Sequence, residues 1–81
     1  MLLKQTVYLE TADITLGQLL KEQALIESGG QAKWFLRERT VFVNGMPENR
    51  RGRKLTAGDQ VEIPDSGSFF LRAASQHKAD G

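Results

Sequence analysis

The sequence predicts a domain of the α+β class, in which helices and strands occupy separate parts of the chain rather than alternating. Three observations lead to this prediction. Apolar residues repeat at the helical period between residues 15 and 38. The stretch 41–43 is a short strand with both valines on one face, and apolar residues alternate with polar ones in the stretch 60–63. The first of these strands runs into Asn44-Gly45, the strongest two-residue hairpin signal. A chain of 81 residues has room for one domain with a small core.

The first predicted elements are a strand and a helix. Val7 and Leu9 alternate with polar neighbours over residues 5–11, as in a strand with one buried face. Thr15 and Gln18 have the spacing of a capping box, in which the hydroxyl and the amide satisfy free backbone groups at a helix start. The apolar stripe that follows consists of Leu16, Leu19, Leu20 and Gln23 or Ala24.

The second predicted helix spans residues 31–38, with Ser28 or Gly30 as its cap. Its apolar face contains Ala32, Phe35, Leu36 and the stem of Arg39. Lys33 and Arg37 lie four residues apart on a flank, where two like charges repel by roughly 0.2–0.5 kcal/mol. Since packing gives no reason for this repulsion, the pair favours an anionic partner.

Trp34 lies beside this basic flank and allows two interpretations. In the first, its indole covers the N-terminal strand or the Phe69-Phe70 segment. In the second, it is a stacking platform for a nucleic-acid base. The sequence favours the first interpretation, because a core this small needs large side chains.

Short strands and turns are predicted in the C-terminal half. Pro47, which lacks a backbone donor, fits an edge strand directly after the Asn44-Gly45 turn. The remaining predicted segments are an exposed basic loop over 49–54, a turn over 55–59, and strands over 60–63 and 69–72.

Basic residues are concentrated in the stretch 33–54, which holds seven of the eleven lysines and arginines. They are Lys33, Arg37, Arg39, Arg50, Arg51, Arg53 and Lys54. Only Glu38 and Glu48 oppose them, so the stretch carries a net charge of +5, whereas the rest of the chain carries −4. Such a split is an electrostatic footprint for a polyanion, and a solvated charged face is the alternative interpretation.

The composition argues against several other classes of protein. Without cysteine, the chain has no disulfide and no thiolate metal site. Its one histidine, His77, lies in the polar stretch 73–81, which we expect to be a disordered tail after a domain spanning 1–72. Asp59 follows a glycine and is interpreted as a turn former. We therefore expect neither enzyme activity nor a cofactor. The sequence shows no signal peptide, and no apolar run approaches the roughly 20 residues of a membrane helix, so we expect a cytoplasmic protein.

Four segments occur in a familiar order: Thr15-Leu16-Gly17-Gln18-Leu19-Leu20, Ser28 with Ala32-Lys33, Val41-x-Val43-Asn44-Gly45, and Leu55-x-x-Gly58-Asp59-x-Val61-x-Ile63. Over residues 14–63 this pattern resembles the S4 RNA-binding domain, and in particular the small stand-alone bacterial S4-domain proteins. The resemblance implies two helices packed on a small antiparallel sheet, the αL motif. It also implies binding of structured ribosomal RNA or the large ribosomal subunit, and a role in ribosome assembly or association.

Carried over by position, the resemblance assigns phosphate contacts to basic residues of the second helix and of the following loop. These residues are Lys33, Arg37, Arg50, Arg51, Arg53 and Lys54. Arg39, which belongs to the same basic stretch, is a further candidate. Gly29 and Gly30 would let a backbone amide approach a phosphate at the helix N-terminus, and Trp34 is the candidate stacking platform.

The sequence departs from the family pattern in three places. Thr15-Leu16-Gly17 stands where Arg-Leu-Asp commonly opens the first helix, and Gly29 stands where an arginine commonly follows Ser28. Arg39 replaces the glycine that usually ends the second helix. A left-handed backbone at Arg39 would cost about 1 kcal/mol or more.

Other functions share some of these features. A protein-binding adaptor would use the basic face to dock on an acidic protein. A sulfur carrier of the β-grasp type has similar T-L-x-x-L-L, N-G and G-D-x-V-E-I segments, but it requires a C-terminal Gly-Gly where this sequence has Asp80-Gly81. Duplex DNA also stays open as a ligand, because phosphate contacts alone do not distinguish it from RNA. We expect a monomer.

Overall fold

The computed structural model describes residues 4–74 and contains two helices and seven strands in that range. In chain order these are β1 (Lys4–Leu9), β2 (Asp13–Thr15), α1 (Leu16–Glu22), α2 (Gly29–Glu38), β3 (Val41–Val43), β4 (Met46–Glu48), β5 (Lys54–Thr56), β6 (Gln60–Ile63) and β7 (Gly67–Ala73). The predicted α+β class is confirmed. β7 includes Ala73, the first residue of the predicted tail, and residues 75–81 of that tail lie outside the described residues.

Five strands form the main sheet in the order β1-β7-β6-β3-β4. All neighbouring pairs are antiparallel except β1 and β7, which run parallel. The predicted antiparallel sheet is therefore observed, with one parallel pair at its edge. A parallel pair needs a long crossover connection, and here both helices and the other strands lie between the two partners in sequence.

A second, two-stranded sheet joins β2 to β5, with Ile14 opposite Leu55. The prediction of a turn over 55–59 was wrong for its first two residues, which belong to β5. Leu55 is fully buried, and pairing with β2 satisfies its backbone in the extended conformation. This small sheet fixes where the loop between β4 and β5 ends.

Buried apolar side chains from both helices and both sheets form one core cluster. The fully buried large ones are Leu16, Leu19, Leu20, Val41, Leu55, Val61, Ile63 and Leu71. Each such side chain contributes roughly 1.5–3 kcal/mol by leaving water. The predicted stripe on α1 is confirmed as far as Leu20; Ala24 is exposed, because the helix ends at Glu22 and Ala24 turns the chain with φ 61°.

The first residue of each helix comes directly after its capping residue, Thr15 for α1 and Ser28 for α2. Thr15 Oγ1 accepts a hydrogen bond from the Gln18 backbone N–H at 3.2 Å, and Thr15 N–H donates to Gln18 Oε1 at 2.8 Å, so the predicted capping box is confirmed. α2 begins at Gly29, two residues before the predicted start. Arg39 has φ −129° and ψ 131°, an extended conformation, so the strain considered for a left-handed residue does not arise.

Asn44 and Gly45 have φ values of 52° and 83°, as the predicted hairpin turn requires. β4 lies at the edge of the main sheet, which is where Pro47 was expected. Neither described helix is long and apolar enough to cross a membrane.

Candidate nucleic-acid interface

One basic residue on the exposed flank of α2 lies near the start of the loop between β4 and β5. Ala32 and Leu36 point into the core, while Lys33 and Arg37 are exposed about 100° further round the helix. Arg37 shares a surface groove with Pro47, Glu48 and Asn49, where β4 leads into the loop. The predicted helix and loop segments therefore approach each other on this side of the molecule.

The loop over residues 49–53 is fixed against the start of α1. The carbonyl oxygens of Arg51 and Arg53 accept hydrogen bonds from the backbone N–H groups of Gly17 (2.9 Å) and Leu16 (2.8 Å). These donors belong to the first turn of a helix, where no intrahelical acceptor exists. The loop thus acts as a cap for α1 that supplements Thr15.

Gly17 lies directly against this loop. A Cβ atom at Gly17 would lie 3.4 Å from the Arg51 carbonyl oxygen and 3.5 Å from the Arg51 Cβ atom. Gly17 stands where an aspartate is common in the family pattern. The two distances are those of ordinary van der Waals contact, so the loop packs on the helix start without requiring a glycine there.

Arg51 links this loop to the start of α2, because its Nη1 donates to the Gly29 carbonyl oxygen at 3.4 Å. A cleft between the two helix starts and the loop is lined by Gly17, Lys21, Gly29, Arg51 and other residues. Lys21 was not among the predicted site residues. It follows Gly17 by four residues and lies on the same face of α1, a spacing that could have pointed to it.

Glu48 accepts hydrogen bonds from two of the loop arginines. Its Oε2 accepts from Arg50 Nε at 2.9 Å and from the Arg50 backbone N–H at 3.1 Å; its Oε1 accepts from Arg50 Nη2 at 3.1 Å and from Arg53 Nη1 at 3.4 Å. The hydrogen bond from the Arg50 side chain, with smaller contributions from the Arg50 backbone and both positive charges, lowers the pKa of Glu48 to about 2. The same carboxylate raises the pKa of Arg50. The loop is therefore partly neutralised from within.

Trp34 is 59% exposed, and the interpretation of this residue as part of the core was wrong. Ala32, Leu36 and the half-buried Phe35 fill the inward side of α2, and Trp34 lies about 160° round the helix from Leu36. The guanidinium carbon of Arg37 lies 5.3 Å from the Trp34 ring centroid, a cation–π arrangement.

The other predicted site residues lie at the surface. The Arg39 guanidinium carbon lies 5.5 Å from the Phe35 ring centroid, as the predicted apolar position of its stem suggests. Lys54 is exposed on β5, opposite Thr15. Gly29 and Gly30 are exposed at the start of α2, and a Cβ atom on Gly29 would meet nothing within 4 Å.

A helix pair whose second member flanks a loop between two short strands is the arrangement expected for the S4 class. The chain matches the S4 domain family over residues 7–70, and it belongs to that family. A relative from Bacillus subtilis (strain 168), named Probable ribosome maturation protein RlbA, is 59% identical to it over 63 residues. The aligned part covers 78% of this chain and 89% of the relative. Family membership removes the support for the β-grasp alternative, which depended on short motifs that the two folds share.

Proposed function

We propose that this protein binds structured ribosomal RNA and acts in ribosome maturation. Membership in the S4 domain family and the name of the Bacillus subtilis relative support this proposal. The observation that carries it is the contact between Arg51 and Gly29, together with the groove that Arg37 shares with Asn49. Both support the proposal that the basic flank of α2 and the arginine-rich loop form one surface.

The binding surface consists of cations from two segments, all exposed except the partly buried Arg53. They are Lys33, Arg37 and Arg39 on and after α2, and Arg50, Arg51, Arg53 and Lys54 in and after the loop. Arginine suits phosphate because its planar fork donates two parallel hydrogen bonds and stays charged. The exposed start of α2 at Gly29-Gly30 adds backbone N–H groups that favour an anion. The site supplies binding and no chemical step.

Trp34 would extend this surface by stacking on an unpaired base. Its indole is exposed next to Arg37, so a base on the ring would lie close to a cation that binds its phosphate. Proteins recognise RNA mainly by the shape of helices and by unstacked bases in loops and bulges. A folded RNA with an unpaired nucleotide beside a helix is therefore the substrate class that this surface fits.

A salt titration of binding to deproteinised large-subunit ribosomal RNA tests the proposal. If about five phosphates are neutralised, log K falls with log[salt] with a slope of roughly −3 to −4.5. Competition with duplex DNA at fixed salt then compares the two nucleic acids. A slope near zero, or equal competition by duplex DNA, would contradict RNA recognition by this surface.

A protein-binding role is the second candidate, and one observation favours it. A groove beside α2 is lined by Trp34 itself and by Leu25, Phe35, Glu27 and Glu38. It therefore combines apolar surface with acidic groups. A basic peptide with apolar side chains would fit such a groove. If a pull-down keeps its partner after ribonuclease treatment, this candidate is favoured over direct RNA binding.

A further inference from the structure

Glu48 is the acid on which two of the RNA-facing arginines converge. Its side chain is only 8% exposed, whereas that of Arg50 is 70% exposed. The guanidinium groups therefore cover the carboxylate and present their outer edges to solvent. We propose that Glu48 is a positioning residue, which holds Arg50 and Arg53 so that they bind RNA phosphate together. This inference rests on the proposed function.

The pairing leaves most of the donors of both arginines available. A guanidinium group carries five N–H donors. Arg50 gives two of them to Glu48 and Arg53 gives one, and no other side-chain hydrogen bond of these two residues occurs within residues 4–74. Three donors of Arg50 and four of Arg53 therefore stay free for an incoming phosphate. The carboxylate fixes the inner edges without occupying the outer ones.

Positioning matters here because arginine has a flexible stem. A free arginine side chain loses rotamer entropy when a ligand fixes it, and a preorganised one has already lost it. The backbone of the loop is held at two further points, because the Arg51 and Arg53 carbonyl oxygens accept from α1. Removing the carboxylate would release the two side chains and one backbone hydrogen bond of Arg50, while these two contacts to α1 still hold the loop.

The opposite expectation follows from charge alone. A carboxylate within a Debye length of a bound phosphate repels it, so removing Glu48 would strengthen RNA binding. Positioning and simple charge repulsion thus predict affinity changes of opposite sign, which makes the two accounts separable.

The test compares Glu48→Gln with Glu38→Gln, using deproteinised large-subunit ribosomal RNA as the probe. Both variants remove one negative charge from the basic stretch. Glu38 is exposed and forms no ion pair within the described part of the chain. We expect Glu48→Gln to weaken binding about 5-fold or more, and Glu38→Gln to strengthen it slightly. Binding that tightens equally in both variants would overturn the proposal.

The effect must also depend on the arginines. In an Arg50→Ala/Arg53→Ala background, Glu48→Gln should cause no further loss of affinity. A similar loss in that background would show that Glu48 acts on the fold as a whole, which would overturn positioning. If Glu48→Gln does not fold, Glu48→Asp is the second variant. It keeps the negative charge, but its shorter side chain places the carboxylate further from the two arginines. It should also weaken binding, and parental affinity would contradict the proposal.

The outcome for the parent separates this inference from the proposed function. If the parent does not bind the ribosomal RNA at about 100 mM salt, the proposed function fails and the positioning role fails with it. If the parent binds and Glu48→Gln behaves like Glu38→Gln, only the positioning role fails.

Discussion

Trp34 places a large apolar ring in solvent on a helix whose inward face is already filled by Ala32 and Leu36. In a small domain, such a side chain would contribute more to stability if it were buried. Its exposed position beside Arg37 therefore fits a role in binding better than a role in folding.

Replacing Trp34 by alanine should weaken RNA binding and leave folding nearly unchanged. Loss of one stacked base costs about 1–3 kcal/mol of binding free energy, whereas an exposed side chain changes the free energy of unfolding by less than about 0.5 kcal/mol. Titration with large-subunit ribosomal RNA and urea unfolding measure the two effects. Phe70→Ala is the matched control, because Phe70 is 43% exposed on β7, outside the basic stretch. Equal loss of affinity in both variants would argue against stacking on Trp34.

Glu48 should give the protein an acid-sensitive contribution to stability. The folded-state pKa of about 2 lies below the ordinary value of 4.5, so the contribution is fully present above about pH 4.5 and is lost as the pH falls through about 2. The difference in free energy of unfolding between the parent and Glu48→Gln should therefore be constant above pH 5 and shrink between pH 4.5 and 2. Denaturant unfolding at several pH values measures it. A difference that persists unchanged at pH 2 would contradict the pairing with Arg50.

At the scale of elements, two turns are tied together by polar side chains. Asn44 Nδ2 donates to Asp59 Oδ1 at 3.0 Å, and Asn44 Oδ1 accepts from the Gln60 backbone N–H at 2.9 Å. Asp59 Oδ2 accepts from the Thr56 backbone N–H at 2.8 Å. These residues belong to the V-x-V-N-G and G-D segments that carry the family resemblance. Their observed contacts are within the fold, and the interpretation of Asp59 as a turn former is confirmed.

Asn44→Ala and Asp59→Ala should each destabilise the fold by about 1–2 kcal/mol through lost hydrogen bonds. Because the two side chains share a bond, the double variant should lose less stability than the sum of the single losses, by about 0.5 kcal/mol or more. Urea unfolding of the four proteins measures this coupling. Additive losses would show that the two turns are independent.

The elements that sequence reasoning predicted are those set by local patterns. The capping box at Thr15 and the φ > 0 turn at Asn44-Gly45 depend only on residues within a few positions of each other. Pairing of β1 with β7 and of β2 with β5 depends on contacts between distant segments, and three-residue strands such as β2 carry little periodicity. The exposed position of Trp34 was not predicted either. The helical period placed Trp34 outside the apolar face of α2, but the need of a small core for large side chains was given more weight.

In the candidate site, too, features set by local sequence patterns could be predicted and the folded geometry could not. The basic residues lie close together in the sequence, among them Lys33, Arg37 and the loop arginines. This clustering predicted a basic surface. The hydrogen bonds of Glu48 could not be predicted from the sequence, because they depend on how the loop turns after β4. Lys21 was missed because the resemblance placed the binding residues on the second helix and the loop, and Lys21 lies on α1.

At the scale of the whole molecule, the formal charge of +1 conceals a division into a +5 stretch and a −4 remainder. If the proposed surface forms, such a division would orient the protein in the field of a polyanion. Two backbone hydrogen bonds hold the loop on α1, and the Arg51 side chain donates a hydrogen bond to the Gly29 carbonyl oxygen at the start of α2. The proposed binding surface therefore depends on the fold as well as on the basic residues.

The salt dependence of RNA affinity, measured for the parent and for Arg50→Ala/Arg51→Ala/Arg53→Ala, tests this account most directly. The variant should stay folded, since the loop contacts α1 through its backbone. With three cations removed, its log K against log[salt] slope should be shallower than the parent's by about 2, and most of its affinity should be lost. A folded variant with the parent's affinity and slope would contradict the assignment of RNA binding to this surface.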